Sequence, residues 1–189
     1  MKICFYYVDE NYINYLKETE INVRGFTTVP NVRYSGRSKF VYGAVLEVNN
    51  VLYYVPVSHY NKDREYNLLI KIKHRNKTEV SGSLRFNYMI PVPKMCLHQL
   101  DFKDSRCYSE QEKIKLQKEY RYCKSKLSSI QKLAQKVYNR VTSESPKPVS
   151  ELSEKNIALL KNSCDFTLLE KAYWKYLSNH SETDNTNCH

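Results

Sequence analysis

One short stretch of the sequence combines several side chains that could either act on a phosphate ester or belong to an ordinary solvent-exposed turn. The apolar run YYVPV at residues 53–57 is followed by Ser58, His59, Tyr60, Asn61 and Lys62. A serine, histidine or tyrosine can donate a hydrogen bond or a proton to a reacting oxygen, and a lysine stabilises negative charge. A hydrated turn has a similar composition, so the elements that position these side chains must decide between the two interpretations.

A predicted β-hairpin brings a further cation to this stretch. The sequence predicts two strands joined by a two-residue turn, over residues 40–48 and 51–57 with Asn49 and Asn50 between them. Asparagine tolerates the positive φ angles of such a turn, and residues whose numbers sum to about 99 then lie opposite each other. Lys39 would face Tyr60 at the open end. We therefore predict that Lys39, Ser58 and Tyr60 lie at one edge of the sheet.

The sequence lacks the motifs of nucleotide-triphosphate and metal chemistry. It has no glycine-rich phosphate loop, and its histidines, cysteines and carboxylates show no metal-ligand spacing. RNA can be cut without a metal, because its own 2′-OH can attack the adjacent phosphate while the protein handles protons and charge. We predict metal-free cleavage of RNA with no cofactor. The alternative is a non-catalytic RNA-binding protein in which the same polar residues only grip phosphate.

Composition favours a polyanionic partner. The chain carries 30 Lys and Arg against 20 Asp and Glu, a net charge of +10, and 17 tyrosines. Positive charge attracts the phosphate backbone, and tyrosine rings stack on bases. No segment is apolar enough for a signal peptide or a membrane span, and the six cysteines are scattered in a way typical of reduced thiols. We predict an RNA-binding protein of the cytoplasm without a membrane partner.

The hydrophobic periodicity predicts an α+β fold. Strands are predicted over residues 3–8, 40–48, 51–57, 68–73 and 84–92, with a polar loop over 74–83. Helices are predicted after a capping Asp9, as one long basic helix over about 110–141, and over about 153–161 and 166–177. The short connections favour a strongly twisted antiparallel sheet with helices packed on it. Residues 1–177 then form one domain, and residues 178–189 form a disordered tail.

Basic residues extend from the sheet to the predicted long helix. Residues 110–140 hold nine Lys and Arg against three Glu. A solvated helix face is the usual explanation of such a run. Because the charges are mainly positive, the run also fits a surface that faces RNA. The residues predicted to bind RNA from charge, ring type and position are Arg33, Arg37, Tyr60, Arg64, Arg85, Lys118 and Arg121.

Four segments in one order resemble the ToxN/AbiQ endoribonuclease toxins of type III toxin–antitoxin systems. They are FYYVDENYINYLKE at 5–18, KFVYGAVLEV at 39–48 with LYYVPVS at 52–58, FNYMIPVP at 86–93, and CDFTLLEKAYWKYL at 164–177. The resemblance implies a barrel-like antiparallel sheet related to the MazF/Kid toxins and metal-independent cleavage that leaves 2′,3′-cyclic phosphate and 5′-hydroxyl ends. It also implies inhibition by a small repetitive RNA pseudoknot that the toxin cuts from its precursor, closed protein–RNA rings, and cleavage of cellular or phage RNA in abortive infection.

The resemblance assigns roles to three positions and leaves a fourth role open. Lys39 stands where the family has a basic residue before its G-x-V-L-E strand, Tyr34 lies near the family's loop tyrosine, and Ser58 matches the serine of its Ser/Thr-Ser-Pro-Lys turn. This chain then departs from the pattern, because no proline follows and the next lysine comes later. The candidates for the role of the family's turn lysine are Lys62, Tyr60 and His59. A MazF-like toxin with a protein antitoxin is a further alternative.

Overall fold

A computed structural model of the chain describes residues 3–31, 33–34, 37–74, 77–101 and 108–181. Within these residues the strands are Cys4–Val8 (β1), Arg33–Tyr34 (β2), Arg37–Ser38 (β3), Val41–Val48 (β4), Val51–Ser58 (β5), Asn67–His74 (β6), Lys77–Arg85 (β7), Ile90–Pro91 (β8) and Leu97–Gln99 (β9). The helices of the same residues are Glu10–Arg24 (α1), Glu110–Ser125 (α2), Leu127–Glu144 (α3), Glu154–Lys161 (α4) and Phe166–Ser181 (α5). Most helices therefore follow the strands, as the change of hydrophobic period predicts.

The strands of the described residues pair in antiparallel fashion. Seven of them form one sheet in the order β6-β7-β5-β4-β1-β9, with β8 beside β5, and β2 and β3 form a separate ribbon. The core is rich in aromatic rings: Tyr53 of β5 is fully buried and packs edge-on against Tyr138 of α3 and Phe166 of α5. Burial of such large rings between sheet and helices stabilises the layered arrangement. The predicted α+β class is confirmed.

The β4–β5 hairpin has the predicted turn and an unpredicted β-bulge. Asn49 and Asn50 have φ angles of 51° and 62°, as a tight two-residue turn requires. Farther from the turn, the register shifts between Gly43 and Leu46 of β4. Gly43 pairs with Tyr54, and a Cβ on that glycine would lie 2.5 Å from Cδ1 of the tyrosine ring. Only a glycine allows the buried ring to cross the strand at this point.

The bulge changes the predicted partner of Lys39. Beyond it, the backbone N–H of Val57 donates to the carbonyl of Phe40 at 3.1 Å. Continued by one residue, this register sets Lys39 beside Ser58, so the predicted pairing with Tyr60 is wrong. The bulge inserts two extra residues into β4. Because side chains of a strand alternate with a period of two, this insertion leaves the pattern of inward and outward side chains unchanged, and the sequence pattern does not reveal the shift in register.

The second hairpin corrects the loop predicted over residues 74–83. β6 and β7 pair along their whole length, so most of this stretch is strand. Its outer half is polar and exposed, and it therefore lacks the apolar alternation from which a strand is predicted. The strand predicted over 84–92 is also wrong in part. The chain leaves β7 at Arg85, makes a 3₁₀ turn at Phe86–Tyr88 and then forms only the short β8.

The single long helix predicted over 110–141 is two helices. Lys126, with φ −106° and ψ 13°, separates α2 from α3. The apolar stripe continues across this break, because Cys123 and Ile130 are both fully buried. One non-helical residue does not interrupt a stripe of this period, so the hydrophobic pattern alone could not reveal the break.

Two helix ends also differ from the prediction. Asp9 precedes α1, but its side chain makes no capping hydrogen bond, and its Oδ1 lies 2.8 Å from Nε2 of His98. The exposed β9 strand supplies this competing partner. α5 continues to Ser181, past the predicted end at Leu177. The rest of the predicted tail, 182–189, lies outside the described residues.

The described residues also bear on the cysteines and on membrane insertion. Four buried cysteines are not part of a disulfide, namely Cys4, Cys96, Cys123 and Cys164, and the other two cysteines, Cys107 and Cys188, lie outside the described residues. Throughout the described part of the chain, no helix combines the length and the apolar character needed to cross a membrane.

Candidate active site

A cleft of about 330 Å³ lies at the open end of the β4–β5 hairpin. The segment after α1 and the end of β7 complete its walls. The polar side chains that line it include Thr27, Thr28, Lys39, Ser58, Arg85 and Tyr88. Three of the residues predicted from sequence, Lys39, Ser58 and Arg85, are thus brought together from neighbouring parts of the sheet.

Ser58 ends β5, and the loop that follows holds its hydroxyl group. The backbone N–H of Tyr60 donates to Oγ of Ser58 at 3.2 Å, which is the hydrogen bond of a serine turn. A hydroxyl oxygen can accept such a bond and still direct its own O–H to another acceptor. Ser58 can therefore act as a hydrogen-bond donor to an anion in the cleft.

The backbone of β7 approaches Ser58 very closely. A Cβ on Gly82 would lie 2.6 Å from the carbonyl oxygen of Ser58. The preceding residue, Ser81, is the extra residue of a bulge between β6 and β7. Its hydroxyl donates to the carboxylate of Glu119 on α2, whose pKa is raised mainly by its burial. The glycine and the bulge together set the position at which β5 ends.

Arg85 lies against two tyrosine rings. Its Cζ is 4.1 Å from the ring centroid of Tyr88 and 4.9 Å from that of Tyr60, distances at which a ring face attracts a cation. Ser58 pairs with Ser83 across β5 and β7. Because side chains two residues apart in a strand share a face, Arg85 lies on the same face of the sheet as Ser58.

Tyr60 carries an acidified hydroxyl group. Nε of Arg64 donates to the Tyr60 hydroxyl oxygen at 3.2 Å. This hydrogen bond is the largest cause that lowers the pKa of Tyr60 below its ordinary value of 10.0, and the charges of Arg64, Lys62 and Arg85 lower it further. A tyrosine in this setting releases its proton more readily than a free tyrosine does.

A buried asparagine organises the loop that carries Lys62 and Arg64. Asn67 is 7% exposed. Its side chain accepts from the backbone N–H of Arg64 and donates to the carbonyl of Lys62, both at 2.9 Å. Asn67 also pairs with Arg85 across β6 and β7, so the loop and Arg85 are fixed by the same strand pair.

A buried carboxylate fixes the wall formed by Thr27 and Thr28. Glu20 of α1 is fully buried, and it accepts from the Thr27 hydroxyl at 2.8 Å and from the Thr28 backbone N–H at 2.7 Å. Arg24 pairs with it at 2.8 Å and also donates to the carbonyl of Ser163 at 3.0 Å. A charge at this depth requires such complete pairing.

The remaining predicted residues are not part of the described lining of the cleft. The loop after β5 carries His59, Tyr60, Lys62 and Arg64, and none of these four residues is among those that line the cleft. Lys118 and Arg121 lie on α2, where Nζ of Lys118 donates to a backbone carbonyl of β6 at 3.2 Å. The basic run predicted over residues 110–140 is divided between α2 and α3, and the two residues named from it as RNA-binding lie on α2.

Three predicted residues fall in the ribbon that precedes Lys39. Arg33 pairs with Ser38, and Tyr34 pairs with Arg37. The backbone of this ribbon therefore leads directly to the cleft. The side chains of Arg33, Tyr34 and Arg37 lie outside the described part of the structure.

Sequence reasoning missed Tyr88, Asn67 and Glu20. Tyr88 lies within the FNYMIPVP segment, but nothing in that segment distinguishes a ring beside a cation from a core ring. Glu20 follows the buried Leu16 by one helical turn, so a carboxylate on the apolar face of α1 was a usable signal of a buried charge. Asn67 had no comparable signal.

The lining of the cleft suits an anion. The described residues that line it include the cations Lys39 and Arg85 and several hydroxyl groups, and none of them is a carboxylate. Among the same described residues, no group of three or more His, Cys, Asp or Glu side chains is placed to hold a metal ion. The fold and the cleft thus define an α+β protein with a cleft whose cations and hydroxyl groups are complementary to an anion.

The chain belongs to the family described as toxin ToxN of type III toxin–antitoxin systems, which matches residues 4–174. Endoribonuclease ToxN of Bacillus thuringiensis subsp. kurstaki is 28% identical over 173 residues, which cover 91% of this chain and 83% of that protein. Endoribonuclease AbiQ of Lactococcus lactis subsp. lactis is 29% identical over 182 residues, covering 90% of this chain and 87% of AbiQ. The family predicted from the four sequence segments is confirmed.

Solved structures share the fold over nearly the whole chain. A type III toxin that a non-coding RNA pseudoknot inhibits superposes with a TM-score of 0.74 at 24% identity, covering 93% of this chain and 98% of that chain. The lactococcal anti-phage endoribonuclease AbiQ superposes with a TM-score of 0.69 at 27% identity, covering 94% and 99%. The arrangement of sheet and helices is therefore that of the ToxN/AbiQ toxins.

Proposed function

We propose that this protein is an endoribonuclease toxin of a type III toxin–antitoxin system and that it cleaves RNA in the cleft that contains Lys39 and Ser58. The observation that carries the proposal is the register of the β4–β5 hairpin, which sets these two side chains next to each other in a cleft lined by cations and hydroxyls. A phosphate group of RNA fits such a lining because the charges are opposite.

The proposed reaction uses the nucleophile of the RNA itself. The 2′-hydroxyl loses its proton to water and its oxygen attacks the adjacent phosphorus. The bond from phosphorus to the 5′-oxygen breaks, and the 5′-oxygen takes up a proton, so the products carry a 2′,3′-cyclic phosphate and a 5′-hydroxyl. Ser58 donates a hydrogen bond to a non-bridging oxygen, and Lys39 stabilises the charge that builds in the transition state. The reaction needs no metal ion or other cofactor.

We assign proton transfer to Tyr60 in preference to Lys62 and His59. Tyr60 is the member of this set whose backbone contacts Ser58 and whose ring contacts Arg85. Its hydroxyl, with a lowered pKa, can protonate the leaving 5′-oxygen. Among the variants Tyr60→Phe, Lys62→Met and His59→Gln, the first is expected to show the largest loss of kcat.

A wider basic surface would bind the rest of the RNA. Arg33, Tyr34 and Arg37 of the β2–β3 ribbon, together with Lys118 and Arg121 of α2, extend this surface from the cleft. A small repetitive RNA pseudoknot, such as the one that inhibits the solved relative, would occupy the cleft as antitoxin. The protein would cut it from a precursor and assemble with it in closed rings.

The proposed targets are cellular and phage RNAs in the cytoplasm. AbiQ is described as an anti-phage endoribonuclease, and the same role in abortive infection is proposed here. We further propose that the twisted sheet is related to the barrel of the MazF/Kid mRNA-cutting toxins.

Cleavage of a mixed RNA pool in EDTA by the wild type and by Ser58→Ala tests the proposal. Cyclic phosphate ends produced by the wild type and not by the variant are expected. If both proteins bind RNA tightly and neither cuts it, the cleft is a phosphate-gripping site and the alternative of a non-catalytic RNA-binding protein is correct.

The DNA next to the gene tests the nature of the antitoxin. Short tandem repeats followed by a terminator directly upstream are expected, because a repetitive RNA antitoxin requires them. A small acidic reading frame in their place would contradict the proposal and would favour a MazF-like toxin with a protein antitoxin.

A further inference from the structure

The guanidinium of Arg85 is held by aromatic rings and not by an acid. It lies over the rings of Tyr88 and Tyr60 at 4.1 and 4.9 Å. Within the described part of the chain, no ion pair joins it to a carboxylate. Aromatic contacts restrain a guanidinium without using its N–H donors, so these donors remain for an anion.

The rings are themselves restrained. Tyr60 receives a hydrogen bond from Arg64 at its hydroxyl, and its backbone N–H donates to Ser58. Tyr88 lies in the 3₁₀ turn that follows β7 directly. The orientation of Arg85 is therefore set by the loop after β5 and by the turn after β7, the two segments that border the cleft.

The strand register places this cation where a phosphate would bind. Ser58 of β5 and Arg85 of β7 share one face of the sheet, and Lys39 precedes the adjacent strand β4. All three line the same cleft. A phosphodiester has two non-bridging oxygens, and a planar guanidinium can bind both at once, which the single ammonium of a lysine cannot do.

We propose that Arg85 is a further catalytic residue, which binds the non-bridging oxygens of the scissile phosphate while Tyr88 and Tyr60 hold its guanidinium in place. The inference rests on the proposed function and adds a third group to Lys39 and Ser58. It assigns Arg85 to the transition state and not to general attraction of RNA, and it makes Tyr88 a positioning residue.

Steady-state cleavage of a short RNA by four variants tests this role. Arg85→Ala is expected to lower kcat by about 10²–10³-fold, with a smaller change in KM. Arg85→Lys keeps the charge but not the planar fork, so it is expected to recover no more than about tenfold of the loss. Tyr88→Leu is expected to lower kcat about tenfold, whereas Tyr88→Phe keeps the ring and should stay within about twofold of the wild type.

A matched control tests whether replacing an arginine outside the cleft by lysine also lowers kcat. Arg140 of α3 does not line the cleft and pairs with Glu65 and Asn156. Arg140→Lys keeps the positive charge beside Glu65 and is therefore expected to leave kcat unchanged. Circular dichroism of each variant shows whether it is folded. The inference is overturned if Arg85→Lys has wild-type kcat, if Arg85→Ala changes only KM, or if Tyr88→Leu and Tyr88→Phe behave alike.

The same assay distinguishes this inference from the proposed function. If the wild type cleaves, Ser58→Ala does not, and Arg85→Ala retains wild-type kcat, the proposed function stands and the role of Arg85 is wrong. If the wild type does not cleave, the proposed function fails and the inference about Arg85 fails with it.

Discussion

Two groups of charged residues adjoin the cleft, and they differ in how deeply their charges are buried and in whether an opposite charge pairs with them. The Glu20 cluster comprises Glu20, Arg24, Thr27 and Thr28, and the Arg85 cluster comprises Arg85, Arg64, Tyr60 and Tyr88. In the first, a fully buried carboxylate accepts from Arg24 at 2.8 Å and from the backbone of Asp165 at 2.8 Å. In the second, a partly exposed cation rests on rings, and no described ion pair neutralises it.

The difference separates residues that hold the fold from residues that bind a ligand. Removing a charge from water costs several kcal/mol unless hydrogen bonds and an opposite charge compensate it, so loss of any partner in the Glu20 cluster should destabilise the fold. Arg85 keeps part of its hydration, and its charge is therefore stable without a partner and available to a phosphate. We infer that the first cluster contributes mainly to stability and the second mainly to binding and catalysis.

Breaking the Glu20 cluster is expected to have the largest effect. Glu20→Ala leaves Arg24 nearly buried without its counter-charge and should lower the free energy of unfolding by about 3–5 kcal/mol, measured by urea denaturation. Glu18→Ala, an exposed carboxylate of the same helix, is the matched control and should cost less than about 0.5 kcal/mol. Equal losses for the two variants would remove the basis of the comparison.

Removing a cation from the cleft should give the reverse result. Lys39→Ala is expected to lower kcat by about 10²–10³-fold, because one preorganised group that stabilises the transition-state charge is lost. Its free energy of unfolding should change by less than about 1 kcal/mol, because the side chain is exposed. Cleavage rate and urea denaturation of the same preparation measure both. A variant that is unstable but retains the kcat of the wild type would contradict the division into two roles.

A substitution behind Ser58 tests whether the site depends on backbone spacing. Gly82→Ala places a Cβ against the carbonyl of Ser58 and is expected to cost about 1–3 kcal/mol of stability and to lower kcat. The control is Ser83→Ala in the same strand. The Ser83 hydroxyl is buried and has no hydrogen-bond partner in the described part of the structure, so its removal should be neutral or stabilising. If Gly82→Ala changed neither stability nor kcat, the site would not depend on the close spacing of β5 and β7.

The smallest expected effect is a shift in pH dependence within the Arg85 cluster. Tyr60 must be protonated to act as an acid, so kcat falls as pH rises through its pKa, which lies below 10.0 mainly because of the hydrogen bond from Arg64. Arg64→Ala removes that bond and should move the alkaline limb of the pH–rate profile to higher pH. Tyr60→Phe should abolish the limb. An unchanged limb in both variants would assign proton transfer to another residue.

Local patterns carried much of the fold prediction. The β4–β5 hairpin could be predicted because alternating apolar residues and an asparagine pair specify strands and a turn within a few residues of each other. α5 and the α2–α3 region could be predicted from an apolar stripe for the same reason. The outer half of β7 could not, because this exposed half is stabilised by pairing with β6 and carries no apolar pattern of its own.

The candidate site also has features that could be predicted from sequence and features that could not. Lys39, Ser58 and Arg85 could be named from residue type, charge and resemblance, because the polar groups that act on a phosphate are few. The hairpin predicted that Lys39 and Ser58 lie at one edge of the sheet. Their exact pairing and the approach of Arg85 were not predictable, because these depend on a bulge that alters the register and on a glycine that lets β7 approach β5. The complete pairing of Glu20 also involves a residue far away in sequence, Asp165.

The sequence by itself determined that this is an α+β protein of the ToxN family with a basic, hydroxyl-rich turn after its second long strand. These properties depend on composition and on contacts between near neighbours in the chain. The tertiary structure alone decided which of the polar residues line the cleft, which cation rests on which ring and which charge is buried. Each of these depends on strand register and desolvation, which arise from contacts between residues distant in sequence.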